Sequence, residues 1–271
     1  MTDSKMIRGM SAEEYHADPR PSWSTVKLAM LDCPLAAKVR SETQSEPTPA
    51  MQFGSLVHTL TLEPETFDRL YHVTEATRRG TKAWKADEDE AGDRTLIKSS
   101  EYLEAQALAE LLRGAAADAG ITIDPEWVEL SCYSSRPGTP ARARPDLLDP
   151  KTGLVWDVKT TRSLRPQAFM RQCLNLGYYG QIVNNAEILS DVLDTEIKPG
   201  GIIAVQTGFP RHAIALPFGE DALAVGGHQY AEAWRIWLDC EAADHWPAYE
   251  YPGGVLGVPS WMESESADDD E

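Results

Sequence analysis

The chain is organised around residues Arg142-Ala-Arg-Pro-Asp-Leu-Leu-Asp-Pro-Lys-Thr-Gly-Leu-Val-Trp-Asp-Val-Lys-Thr160. Two apolar runs flank the turn-forming cluster 149–153, which predicts a β-hairpin. Side chains alternate between the two faces of a strand, so Asp157 and Lys159 share one face. The short turn brings Asp146, on the first strand, opposite or diagonal to Asp157. The stretch therefore predicts two acids and a lysine that point to one place.

Two acids and a lysine in this arrangement suit the hydrolysis of a phosphodiester. The acids would hold Mg²⁺ or Mn²⁺, which activates water, and the lysine would orient that water or stabilise the developing charge. The alternative is an ordinary surface hairpin, because Asp-x-Lys is a short motif that often arises by chance. The apolar residues around Asp157 favour the metal site, since an acid within a buried strand needs a partner.

Arg-Pro-Asp146 followed by Trp-Asp157-Val-Lys159-Thr-Thr resembles the core of the PD-(D/E)XK nucleases, and the most similar branch is the phage RecE or exonuclease VIII type. The resemblance implies an α/β fold of the restriction-endonuclease-like kind, with a central mixed β-sheet flanked by helices and a helical N-terminal segment. Further motifs match over about residues 9 to 190, in the same order. They are Glu14-Tyr-His-Ala-Asp18, Ser22-Trp-Ser24, Gly54-Ser-Leu-Val-His58 with Leu62-Glu-Pro64, Glu129, and Tyr178-Tyr-Gly-Gln181.

One position departs from the pattern of that branch. The branch commonly has Gln-x-x-x-Tyr, whereas the residue four positions after Gln181 is Asn185. The departure concerns the contact that the tyrosine would make and leaves the predicted metal site intact.

The resemblance also implies a role for each site residue. The expected metal ligands are His58, Asp146, Asp157 and the backbone carbonyl of Val158, and the expected catalytic residues are Asp146, Asp157, Lys159, Glu129 and Gln181. The expected DNA-binding residues are Arg142, Arg144, Thr160, Arg162, Arg165, Arg171 and Tyr178. Apart from the resemblance, a lone histidine on an apolar helix, such as His58, is more often a hydrogen-bonded core residue than a metal ligand. Glu129, on a strand that begins at Trp127, would as readily face solvent.

The net charge of −18 argues against a nucleic-acid partner, because affinity for nucleic acids comes mostly from neutralised phosphates. The distribution of charge argues the other way. Between Arg136 and Arg171 the chain carries eight basic and three acidic residues, so the predicted site lies in a positive field. An acidic exterior with a basic groove would guide DNA inward, although Arg136 and Lys151 fit solvated loops equally well.

We expect one domain over residues 1–261, with a helical part at about 1–120 and a catalytic core at about 121–245, followed by a disordered acidic tail at 262–271. Residues 166–189 are expected to form one long helix, and residues 78–92 a loop or short helix. Tyr230, Trp234 and Trp237 follow helical spacing and indicate a core-facing stripe. The chain has no apolar run of membrane-spanning length, so we expect a protein of the bacterial host cytoplasm.

The resemblance implies a metal-dependent exodeoxyribonuclease. Such an enzyme digests linear double-stranded DNA from the 5′ end and leaves 3′ single strands for a RecT-type annealing protein in phage recombination. The resembled enzymes form rings, so we expect a trimer or tetramer, for which the segment 249–261 offers a subunit contact. The alternatives are a structure-specific endonuclease of the same superfamily and a non-catalytic protein that binds DNA ends.

Overall fold

A computed structural model of the chain describes residues 4–43, 46–251, 254, 256 and 257. The strands are β1 (Lys5–Ile7), β2 (Tyr71–Thr74), β3 (Thr95–Lys98), β4 (Ser131–Ser134), β5 (Ala141–Ala143), β6 (Leu147–Asp149), β7 (Leu154–Thr161), β8 (Lys198–Gln206) and β9 (Ala213–Pro217). The helices are α1 (Ala12–Ala17), α2 (Trp23–Leu31), α3 (Pro34–Glu42), α4 (Pro49–Leu62), α5 (Phe67–Leu70), α6 (Lys82–Ala91), α7 (Ser99–Asp118), α8 (Pro166–Asn175), α9 (Tyr178–Leu193) and α10 (Glu220–Ala243).

The central sheet has the strand order β6-β7-β8-β9. Its pairs are antiparallel, parallel and antiparallel in turn, so the sheet is mixed as predicted. β6 and β7 form the predicted hairpin, in which Leu147 faces Trp156. The parallel step from β7 to β8 is made through α8 and α9, because parallel neighbours need a long crossover connection.

Helices cover both faces of β7. On one face, α4 and α7 pack Leu56 and Leu108 against Trp156 and Val158. On the other face, α2, α9 and α10 form a core that includes Trp23 and Val155. Trp234 and Trp237 of α10 are buried in this second core and Tyr230 packs against it, so the predicted core stripe is confirmed. Burial of both faces is what makes a charged residue on β7 costly unless it is paired.

Two smaller sheets complete the strands. The first has the order β1-β4-β5 and is antiparallel, and the second is the parallel pair β2 and β3. The segment at 78–92 contains α6, which Thr81 caps by accepting a hydrogen bond from the amide of Trp84. Among the described residues, no helix is both long enough and apolar enough to cross a membrane.

The expectation of one long helix over 166–189 is wrong. α8 ends at Asn175 and α9 begins at Tyr178, with Gly177 between them in the left-handed region at φ 67°. Glycine adopts that conformation readily, and it commonly ends a helix. The helix therefore stops at Gly177 even though the apolar pattern of the sequence continues. Trp23 Nε1 donates to the carbonyl of Gly177 at 2.9 Å, and Gln229 of α10 bonds α8 and α9 together.

The expected tail at 262–271 and most of the segment 249–261 lie outside the described residues. Within that segment, Tyr249 and Tyr251 are described and exposed, and the hydroxyl of Tyr249 is hydrogen-bonded to Asp32. The subunit contact assigned to the segment stays a prediction.

The close approach of α2 to α9 gives a stability test. A methyl group at Gly180 would collide with the indole of Trp23 and lie 3.0 Å from Cβ of Gln229, so we expect Gly180→Ala to cost about 1–3 kcal/mol. Gly114 lies on the exposed face of α7 with no atom within 4 Å of an added Cβ, so Gly114→Ala should stabilise by about 0.5–1 kcal/mol. Urea unfolding of the two variants measures the difference, and equal effects would contradict this packing.

Candidate metal and catalytic site

The predicted site borders a cleft of about 1040 Å³. His58, Glu129, Val158, Lys159 and Gln181 are among the residues that line it. Asp146 and Asp157 lie just beneath this lining, exposed to only 9% and 1%. The structure therefore brings together the ligands and catalytic residues that the sequence predicts, although they come from α4, β7, α9 and the segments before β4 and β6.

A histidine bridges two carboxylates at the centre of the site. His58 Nε2 lies 3.0 Å from Asp146 Oδ2, and His58 Nδ1 lies 3.2 Å from Glu129 Oε1. Potential ligand atoms of these three residues all lie within 4.8 Å of one another. Gly54 explains how α4 delivers the histidine, because an added Cβ would lie only 3.3 Å from Thr160 Oγ1. Glycine thus lets the helix approach β7, and His58 follows one turn later on the same face.

Glu129 does not lie on a strand, which corrects the sequence expectation. It follows a single bridge between Val128 and Leu147 and has a left-handed backbone at φ 50°. Its amide donates to the carbonyl of Asp146 at 3.1 Å, and its carboxylate accepts a short hydrogen bond from Arg144. A non-glycine residue in this region is strained, and such strain is held in place by surrounding contacts, frequently at functional sites. The turn, and not strand alternation, aims this acid at His58.

Asp146 is held by the backbone of β7. Its Oδ2 accepts a hydrogen bond from the amide of Val158 at 2.7 Å. The amide and carbonyl of one residue in an extended strand point to the same edge, so the carbonyl of Val158 also faces the edge where Asp146 lies. β6 pairs only as far as Leu147, which leaves this edge of β7 open to the site. The predicted ligand role of the Val158 carbonyl therefore stays compatible with the geometry.

Asp157 sits between a cation and an amide. Its Oδ2 lies 2.5 Å from Lys159 Nζ, and its Oδ1 accepts a hydrogen bond from Gln181 Nε2 at 2.8 Å. Lys159 Nζ also lies 4.9 Å from the centre of the Tyr178 ring, within range of a cation–π contact. Asp157 Oδ2 is buried, and the ammonium group of Lys159 is its close partner. A carboxylate oxygen has more than one lone pair, so Oδ2 can also accept a second cation.

Burial and neighbouring charges set the protonation of the site. Burial alone would lower the pKa of His58, but the carboxylates of Asp146 and Glu129 raise it to about 9. Burial would raise the pKa of Asp146, yet His58, Lys159 and the Val158 amide hold it at about 2. Burial and then the Asp146 charge raise the pKa of Asp157 to about 7. Burial opposes the charge of Lys159, but Asp157 and Asp146 keep its pKa above the ordinary value.

The residues present fit a divalent metal ion. Carboxylate and carbonyl oxygens suit Mg²⁺ and Mn²⁺, and one imidazole nitrogen suits Mn²⁺ better than Mg²⁺. His58, Glu129 and Asp146 offer the closest set of ligand atoms among the described residues. Asp157 lies beside this set with one oxygen at Lys159 Nζ and the other at Gln181 Nε2, so it would join the metal shell by sharing an oxygen with one of these partners.

The arginines predicted to bind DNA fall into two groups. Arg142 donates to the carbonyl of Arg20 at 2.9 Å and lies 4.6 Å from the Tyr15 ring centre, and Arg144 is paired with Glu129. These contacts give both arginines a structural role. The exposed group is Arg162, Arg165 and Arg171. Thr160 and Tyr178 line the cleft, and the DNA-binding role assigned to them stays a prediction.

The cleft is less basic than the sequence predicts. Its lining carries five basic and five acidic side chains, so the excess of positive charge between Arg136 and Arg171 is not concentrated there. Arg136 is paired with Glu187 at 2.6 Å, which removes another cation from that count. Lys27 of α2 also lines the cleft. The sequence does not predict this, because Lys27 lies after the Ser22-Trp-Ser24 motif and belongs to no recognisable motif itself.

Asn185 occupies the position where the resembled branch has a tyrosine. It is 3% exposed, its Nδ2 has no hydrogen-bond partner, and it lines a smaller void of about 240 Å³. Glu129, Arg144 and Gln181 also border this void, so the departure lies directly behind the site.

Two comparisons with known proteins give matches to this chain. A family model described as a PDDEXK-like domain of unknown function matches residues 22–252. A crystal structure from Eubacterium rectale, described as a "Putative exonuclease", has a TM-score of 0.63 and 15% identity, and the match covers 97% of this chain and 100% of that chain. At that identity the likeness shows the fold alone. No curated protein sequence matches the chain.

Proton binding at the site predicts how stability depends on pH. Both His58 and Asp157 have raised pKa values, about 9 and about 7, so the folded protein holds protons that the unfolded chain releases. As pH rises through these values, the two groups lose their protons, and the free energy of unfolding should fall by on the order of 1–3 kcal/mol. A bound divalent ion replaces the protons and should stabilise more at pH 9 than at pH 6.5.

Thermal unfolding in chelator and in Mn²⁺ across this range is the measurement. His58→Gln should weaken both the pH dependence and the shift caused by Mn²⁺. A Mn²⁺ shift of the same size in His58→Gln and in the wild-type protein would remove His58 from the ligand set.

Proposed function

The chain belongs to the family of PDDEXK-like domains, and from that premise we propose that it is a metal-dependent exodeoxyribonuclease. Nuclease chemistry is what the family and the site support together. The observation that carries the proposal is the meeting of His58, Glu129 and Asp146 with the Asp157–Lys159 pair at one cleft. A surface hairpin without function would not bury two carboxylates next to a histidine and a lysine.

The chain's own residues divide the work of hydrolysis. His58, Glu129 and Asp146 would hold Mg²⁺ or Mn²⁺, which when bound supplies an activated water and stabilises charge on the phosphate. Lys159 stands next to this set with its ammonium fixed by Asp157 and Tyr178, where it orients the water or the scissile phosphate. Gln181 fixes Asp157 from the opposite side through its amide. Each polar group is thus placed before substrate arrives, which lowers the cost of reorganisation.

The finer assignment follows the sequence resemblance. We propose that the enzyme degrades linear double-stranded DNA from the 5′ end and leaves 3′ single strands for a RecT-type annealing protein in phage recombination, within the bacterial host cytoplasm. The Eubacterium rectale protein carries the description "Putative exonuclease", which supports this choice over a structure-specific endonuclease. We further propose a ring of three or four subunits, because enclosure of the duplex would allow long runs of digestion by a chain of net charge −18.

Replacement of Asp157 tests the chemistry. Asp157→Asn keeps the shape and the bond to Gln181 but removes the charge, so metal-dependent release of nucleotides from linear duplex DNA should fall at least about 100-fold. Asp149 is the control, because it is 1% exposed on the same hairpin but caps the turn through Thr152 and Lys151. Asp149→Asn should lose some stability and keep the rate. Full activity of Asp157→Asn would exclude the proposed site.

The form of the DNA tests the exonuclease assignment. Linear duplex labelled at either end should lose its 5′ label first, and covalently closed circles should survive in the same reaction, because an enclosing ring needs a free end. Sedimentation of the active protein should show a trimer or tetramer. Efficient cutting of closed circles would favour the endonuclease instead.

A further inference from the structure

Lys27 is a cation of the cleft that the proposed mechanism does not use. It lies on α2 and lines the cleft together with Lys159, Tyr178 and Gln181. Its Nζ donates to the carbonyl of Leu176 at 2.7 Å. Leu176 follows the last residue of α8, at the break that precedes α9. Lys27 thus reaches from α2 to the break between α8 and the helix that carries Tyr178 and Gln181.

Lys27 differs from Arg144 and Lys159, two other cations of the cleft, because no acid forms an ion pair with it. Arg144 is paired with Glu129, and Lys159 is paired with Asp157. In the part of the chain that the structure describes, no carboxylate lies within ion-pair distance of Lys27 Nζ. The Lys27 charge is therefore available to a bound anion.

The carbonyl anchor prepares Lys27 for such an anion. The last carbonyls of a helix have no partner within the helix and carry partial negative charge, so they hold an ammonium group in place. An ammonium group has three donors, and the bond to Leu176 uses one of them. The side-chain entropy of the long lysine stem is thereby lost before an anion binds, which favours binding.

The electrostatics agree with this arrangement. Burial and then the charge of Lys159 lower the pKa of Lys27 to about 8, so the ammonium form is costly without an anion. A phosphate group placed between Lys27 and Lys159 would relieve that cost, because it would face both cations. Lys159 of β7 and Tyr178 and Gln181 of α9 line the same cleft as Lys27 of α2.

We propose that Lys27 is a DNA-binding residue, which holds a backbone phosphate of the strand in the cleft next to Lys159. The inference rests on the proposed function and adds a named substrate contact to it. A purely structural role is the competing account, in which Lys27 only closes the break between α8 and α9. The two accounts differ in salt dependence, because only a phosphate contact releases counterions from DNA.

The test compares Lys27→Met, which keeps the apolar stem, with Lys27→Arg, which keeps the charge. Lys38→Met is the control, because Lys38 lies on neighbouring α3, pairs with Glu42 at 3.1 Å and lies outside the cleft. Binding of a labelled linear duplex is measured against salt, with each variant in the Asp157→Asn background and Mg²⁺ so that the DNA stays intact. The slope of log K against log salt should fall by about one for Lys27→Met. Lys27→Arg and Lys38→Met should keep the parent slope.

Kinetics in the otherwise wild-type protein give the second reading. Lys27→Met should raise KM several-fold and change kcat less, because a backbone contact is made in both the ground and transition states. An unchanged salt slope, or a fall in kcat at constant KM, would overturn the inference in favour of a structural role. Failure of the proposed function would look different, since the wild-type protein would then show no metal-dependent hydrolysis of DNA at all.

Discussion

Two buried carboxylates and a partly buried one meet beside β7, and their mutual repulsion is the constraint that the surrounding structure must satisfy. Glu129, Asp146 and Asp157 are matched by three cations, namely His58, Arg144 and Lys159. Charges taken out of water are tolerated only when partners lie close, because desolvation costs several kcal/mol for each ion. The close approach of α4 at Gly54, the turn at Glu129 and the position of β5 all serve to deliver those partners.

The sequence predicts the hairpin well because the information is local. The turn at 149–153 fixes the register in which Leu147 faces Trp156, and that register places Asp146 at the level of Asp157. The face shared by Asp157 and Lys159 follows from strand alternation alone. His58, Glu129 and Gln181 are far away in sequence, so only their resemblance to family motifs placed them at the site.

The features that the sequence does not predict depend on tertiary contacts. In the sequence, Gly177 lies within a continuous apolar pattern and does not mark a helix end. In the structure, Trp23 and Lys27 of α2 stabilise the break there by hydrogen bonds to the carbonyls of Gly177 and Leu176. Glu129 reads as a strand residue because Val128 and Leu130 flank it, yet a hydrogen bond to Asp146 favours a left-handed turn. The sequence predicts that Arg142 and Arg144 contact DNA, because a count of charges does not show which of them are already paired within the protein. The structure pairs them with a carbonyl and a carboxylate instead.

Charge balance also explains how one site can exist with and without a metal ion. Without the ion, the proton on His58 supplies the charge that bridges Asp146 and Glu129, which is why its pKa rises to about 9. A divalent ion held by the same carboxylates would take the place of that proton, and His58 would then be a neutral ligand in a site with about one more unit of positive charge. Lys159 is paired with Asp157, so an ion held by His58, Glu129 and Asp146 would leave that ion pair in place. That added positive charge would face the cleft. An anionic substrate would therefore be attracted to the cleft, whereas the acidic surface elsewhere on the chain would repel it.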